Sequence, residues 1–147
     1  MRLDHVAIAV NNLDDAVKQY KEALGVHEVE FETVESEGVR VAILHLNNSR
    51  IELMEATKET SPIKKFLTTK GEGLHHIALE TDGIEKEVDR MKVCGIKFLG
   101  EIRPGSRGTK IIFMHPKSLH GVLAELCSHP KSYILAKLVC ARTLRHT

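Results

Sequence analysis

One short pattern occurs twice in this chain. Residues 3–10 read LDHVAIAV and residues 74–81 read LHHIALET. Aligned, Leu3 sits on Leu74, Asp4 on His75, His5 on His76, Val6 on Ile77, Ala7 on Ala78 and Ile8 on Leu79. The flanking segments repeat too. NNLDDAVKQYKEALG follows the first copy, an amphipathic helix with Asn11 or Asn12 as N-cap and Gly25 just past its end. DGIEKEVDRMKVCG follows the second, a helix ending at Gly95. Strand-like segments come next, at about 26–35, 39–46 and 50–55 in the first half and 96–102, 109–114 and 122–127 in the second. A repeat of this length implies two similar modules packed side by side. The fold class is therefore α+β: two tandem β-α-β-β-β modules forming a curved mixed sheet around a cleft. Module one spans about 1–56, a linker 57–72 and module two 73–129, together one domain. The linker holds a short helix beginning at Ser61, with Pro62 at its first position. A tail, 130–147, lies outside the repeat, and its apolar positions (Ile134, Leu135, Leu138, Val139) fit a short helix.

The repeat includes polar exceptions. RIELM (50–54) and LAELC (123–127) each place a glutamate before leucine in a final strand. His5 and Glu52 are 47 positions apart, His76 and Glu125 49. Each module thus offers one histidine on its first strand and one glutamate on its last. Strict strand alternation puts His5 with Ala7 and Ala9, and Val6, Ile8 and Val10 on the helix-packed face. The same rule turns His75 away from His76 and gives it a structural role. Singly, each of these side chains reads as a surface residue or a cross-strand ion-pair partner. Jointly, His5, Glu52, His76 and Glu125 form a plausible N2O2 set for a first-row divalent metal. Of the other histidines, His27, His45, His120, His129 and His146 read as surface residues, and His115 as shaping its loop.

Composition narrows the partners. With 21 Lys+Arg against 20 Asp+Glu, the net charge of +1 gives no electrostatic case for nucleic acid or an anionic membrane. No apolar run approaches the roughly 18 residues that span a bilayer. Three widely spaced cysteines without a C-x-x-C pair, and no leader-like segment before the first strand, fit a reduced, cytoplasmic protein.

These features resemble the vicinal oxygen chelate superfamily, also called the glyoxalase/bleomycin-resistance fold, over about residues 1–129. Within it the chain is most similar to the methylmalonyl-CoA epimerase family. DHVAIAV (4–10), IELMEA (51–56), SPIKKFL (61–67), GEGLHHIALE (71–80) and FMHPKSLHGVLAEL (113–126) carry that resemblance. It implies one divalent ion per chain held by His5, Glu52, His76 and Glu125. Cobalt comes first, with nickel, manganese, zinc or magnesium as alternatives. It also implies an acyl-CoA substrate and a homodimer. The implied reaction interconverts (R)- and (S)-methylmalonyl-CoA by removing the C2 proton through a metal-stabilised enolate. Glu52 and Glu125 are the candidate proton carriers. Some epimerases have Gln at the Glu52 position and a separate Glu on the third strand, where this chain has Val41. Lys117 and Ser118, with Arg107 in RPGSRGTK, are candidate substrate contacts; Arg103 and Ser106 share that loop. The same ligand set resembles lactoylglutathione lyase (glyoxalase I), so substrate alone divides those readings. A non-catalytic drug- or ligand-binding protein of the same fold is a further alternative.

Overall fold

A computed structural model describes residues 1–131; the helix expected around Ile134–Val139 and His146 lie outside the described residues. The first module runs β1 (Arg2–Ala9), α1 (Leu13–Leu24), β2 (Val29–Val34), β3 (Val39–His45) and β4 (Arg50–Ala56). Helix α2 (Pro62–Lys70) follows. The second module runs β5 (Gly73–Glu80), α3 (Ile84–Val93), β6 (Phe98–Pro104), β7 (Lys110–Met114) and β8 (Ala124–Ser128). Two 3-10 turns, 106–108 and 116–119, flank β7. No helix among the described residues is long and apolar enough to cross a membrane.

Helix limits follow local chemistry. Asn12 is the N-cap of α1, its side chain accepting from Asp15 N at 3.0 Å, with Asp14 and Asp15 in the first turn. Gly25 ends the helix at φ 65°, a left-handed conformation that glycine adopts without strain. Ser61 caps α2 by accepting from Ile63 N, and Pro62 takes the first turn, where its missing N–H costs nothing. In α3, Ile84, Val88 and Met91 recur at helical spacing and face the sheet.

All eight strands form one curved mixed sheet in the order β2-β3-β4-β1-β5-β8-β7-β6. The two halves of that order are mirror-related about the β1/β5 seam, as the sequence repeat requires. β1 pairs parallel with β4 and β5 parallel with β8, while β1 and β5 run antiparallel. Helices α1 and α3 cover the outer face. Leu13 and Val17 of α1 pack with Ile8, Val10, Leu44 and Leu53; α3 packs on Ile112, Met114, Ala124 and Leu126. The inner face is the cleft. In module one it is walled by Val39, Val41 and Met54 and by Ile63 of α2, which pack with the buried Ala7 and Ala9 and with Phe66.

Candidate active site

Strand register brings the four predicted residues together. In the parallel pairs, Ala7 stands opposite Glu52 and Ala78 opposite Glu125, so each glutamate shares a small-residue neighbourhood with its histidine. Alanine leaves room there for carboxylate and imidazole groups that a larger side chain would fill. His5, Glu52, His76 and Glu125 are all buried and all line one cavity of about 270 Å³. His5 Nε2 and His76 Nε2 face each other across the seam at 3.4 Å. His5 Nε2 is 3.5 Å from Glu52 Oε2, and His76 Nε2 is 3.5 Å from Glu125 Oε2. The contacts therefore run Glu52–His5–His76–Glu125, with a carboxylate at each end. The ligand atoms of His5, His76 and Glu125 all lie within 4.8 Å of one another; Glu52 stands outside that three-residue group and reaches His5 Nε2 at 3.5 Å.

The donor set fits a metal ion. Two ligands on one ion with bonds of about 2.1 Å sit roughly 3.0–3.4 Å apart, close to the spacing of these atoms. Glu52 Oε1 is buried without a hydrogen bond, 3.6 Å from Arg50. A buried carboxylate oxygen without a donor costs free energy, and a cation removes that cost. Two imidazoles and two carboxylates suit a first-row divalent cation.

One expectation is corrected. His75 does not turn away from His76: its Nδ1 lies 2.8 Å from His76 Nδ1, and the side chain lines the cavity. Register explains why. On the β1/β5 seam, His5 pairs with Ala78 directly after Leu3 pairs with Leu79, leaving Asp4 as an extra residue. Likewise Ala7 pairs with His76 and Ile8 with Leu74, leaving His75 extra. Both are β-bulges, which interrupt alternation and re-aim side chains. They fall on the two positions that the repeat aligns.

Asp4 is a hub that sequence reasoning missed. Its carboxylate accepts from His5 Nδ1 at 2.7 Å, from His129 Nε2 at 2.8 Å and from Arg50 Nη2. Burial opposes its ionisation, yet the hydrogen bonds from His129 and His5 and the Arg50 charge outweigh that and hold the carboxyl well below the usual range. Burial also opposes a charged His5, but the Asp4 hydrogen bond and the Glu52 and Glu125 carboxylates raise its pKa. For His75, burial first and then His76 and Lys70 push the pKa down to about 4. Burial drives the Cys127 thiol far up. His129, read as a surface residue, is buried against Asp4. A period-two signal was available for these: Arg50 precedes Glu52 by two, and Cys127 and His129 follow Glu125 by two and four.

The mouth is built from the end of β6, which holds Arg103, and from the 3-10 turn after it, which holds Ser106 and Arg107. Arg103, Ser106 and Arg107 line the cavity. Arg103 pairs with Glu37 at 3.3 Å and lies over the Phe113 ring, whose edge meets His76. Arg107 pairs with Glu30 at 3.2 Å. Lys117 and Ser118 stand outside the cavity lining, and Ser118 Oγ accepts from Lys97 N at the start of β6.

Comparison with known proteins agrees with this architecture. Residues 4–113 match the model of the Glyoxalase/Bleomycin resistance protein/Dioxygenase superfamily. The mitochondrial methylmalonyl-CoA epimerase of Homo sapiens is 41% identical over 127 residues, covering 85% of this chain and 72% of the relative. The ethylmalonyl-CoA/methylmalonyl-CoA epimerase of Cereibacter sphaeroides is 40% identical over 128 residues, covering 85% and 96%. Among solved structures, a substituted Streptomyces coelicolor methylmalonyl-CoA epimerase in complex with 2-nitronate-propionyl-CoA superposes with a TM-score of 0.83 at 38% identity, covering 88% of this chain and 97% of that one. The chain belongs to the Glyoxalase/Bleomycin resistance protein/Dioxygenase superfamily, and within it to the methylmalonyl-CoA epimerases.

Proposed function

We propose that this protein is a metal-dependent epimerase of methylmalonyl-CoA, with His5, Glu52, His76 and Glu125 holding one divalent ion. The observation that carries the reading is the pseudosymmetric contact series, in which two carboxylates stand at opposite ends of two facing imidazoles. A bound divalent cation supplies a Lewis acid for the negative charge that develops when C2 loses its proton. Inverting C2 then needs one group to take the proton from one face and another to return it on the opposite face. Glu52 and Glu125 come from equivalent strands and fill those two roles. Other cavity residues suit them less. Val41 lines the cavity and has no proton to exchange. Asp4 is engaged by three donors, and the Cys127 thiol is held protonated by burial. The apolar walls Val39, Val41 and Met54 keep water from the carbanion.

The acyl end of the substrate occupies the cleft, and Arg107 at its mouth is the substrate contact retained from the sequence reading. Epimerase activity in the relatives favours this over a glyoxalase I reaction on the shared ligand set. The family resemblance supports cobalt and a homodimer, read by elemental analysis of the purified protein and by light scattering. The deciding experiment follows the C2 proton of methylmalonyl-CoA by NMR in deuterated water. Metal-free protein is compared with protein given cobalt, nickel, manganese, zinc or magnesium. Exchange that appears with metal and disappears on chelation is expected; no exchange with any of these ions overturns the proposal.

A further inference from the structure

The two bulges do more than re-aim side chains. Each places a residue against the Nδ1 atom of the histidine that follows it: Asp4 against His5 at 2.7 Å, His75 against His76 at 2.8 Å. Each histidine then has only Nε2 left for the cleft, and the two Nε2 atoms are the ones that face each other. The repeat thus duplicates a support as well as a ligand. What differs is its chemistry: a carboxylate in module one, an imidazole in module two.

Proton placement fixes the roles. Two neutral imidazoles joined through Nδ1 share one proton between those atoms. A histidine that gives its Nε2 lone pair to a metal carries its proton on Nδ1. His76 is therefore the donor and His75 the acceptor, with the proton of His75 on its own Nε2. Helix α2 steadies this arrangement, because Phe66 packs edge-to-face on His75 with ring centroids 4.9 Å apart.

We propose that His75 is a positioning residue for the metal centre: it accepts the Nδ1 proton of His76 and so presents His76 Nε2 bare to the ion, as Asp4 does for His5. A neutral imidazole draws on that proton less than a carboxylate does, so His76 is the weaker electron donor of the two ligands. The site is symmetric in position and asymmetric in ligand strength.

The inference rests on the metal reading above, and its test separates the two. Asparagine places Oδ1 close to where histidine has Nδ1 and can accept the same proton; phenylalanine keeps a ring for Phe66 but accepts nothing. Cobalt binding to metal-free protein is measured by calorimetry and by the visible spectrum of the bound ion, beside the thermal midpoint of each metal-free variant. His75→Phe should weaken cobalt binding about tenfold to hundredfold, the usual effect of losing a group that supports a ligand. His75→Asn should stay within about threefold of the parent, with an unchanged spectrum. Equal binding by all three proteins overturns the role, and so does an equal loss in both variants, which would mean ring packing matters rather than the acceptor. Nitrogen-15 NMR of the zinc-loaded parent should place the His76 proton on Nδ1 and the His75 proton on Nε2; a His75 ring protonated on Nδ1 also overturns the role. A parent chain that takes up no cobalt sinks the metal reading and the role of His75 with it; a parent chain that binds cobalt no more tightly than His75→Phe sinks the role alone.

Discussion

At the scale of single residues, the site depends on groups whose polarity breaks an apolar pattern. His5, Glu52, His76 and Glu125 were legible because an internal repeat preserved them at nearly equal spacing. Their supports were harder to read. Asp4 and His75 are visible in the same alignment, but strict alternation assigns them to the wrong face, since a bulge leaves no mark in a strand's hydrophobic pattern. Arg50 and His129 required knowing that the inward face continues beyond the glutamates, at the start of β4 and just past the end of β8. Replacing Glu52 with Gln removes a proton carrier while keeping an oxygen toward the ion. C2 exchange should fall about a hundredfold or more, the scale of a lost general base. Metal content, measured in parallel, should persist. Full exchange in that variant would end the two-glutamate scheme.

At the scale of elements, helix signals in the sequence map closely onto the structure. Asn12, Gly25, Ser61 and Pro62 act where their capping chemistry predicts. Asn12→Ala should destabilise the protein by about 1 kcal/mol, measured by urea unfolding, because the N-terminal turn of α1 loses its side-chain acceptor. Strand starts shift by two or three residues, as at β2 and β8, where turn residues precede pairing. Core burial contributes more to stability than capping does. Leu53 and Leu126 are fully buried at equivalent positions on the outer face of β4 and β8. Truncating either to alanine should cost roughly 2–5 kcal/mol, with the same unfolding assay as readout. Similar losses at the two positions are expected, since each lies under the helix of its own module.

At the scale of the whole molecule, the centre belongs to the seam and to neither module. β1 and β5 contribute the two histidines from opposite sides of one antiparallel pair. Removing a single ligand should therefore empty the site. On the proposed metal reading, His5→Ala and His76→Ala should each abolish the metal uptake of the parent chain, by elemental analysis. A residual half-equivalent in either variant would mean two independent half-sites.

The curvature of the sheet has a consequence beyond the cleft. Among the described residues, its two lateral strands, β2 and β6, are the ones whose backbone N–H and C=O groups lack a neighbouring strand on one side. Such edges are templates on which a foreign strand can add, the first step of aggregation. Here bending brings the two ends within side-chain reach, and Glu30 and Glu37 on one side meet Arg107 and Arg103 on the other. Paired long charged side chains stand where an incoming strand would dock. The curl that builds a substrate cleft thereby also gives the chain protection against edge-to-edge self-association.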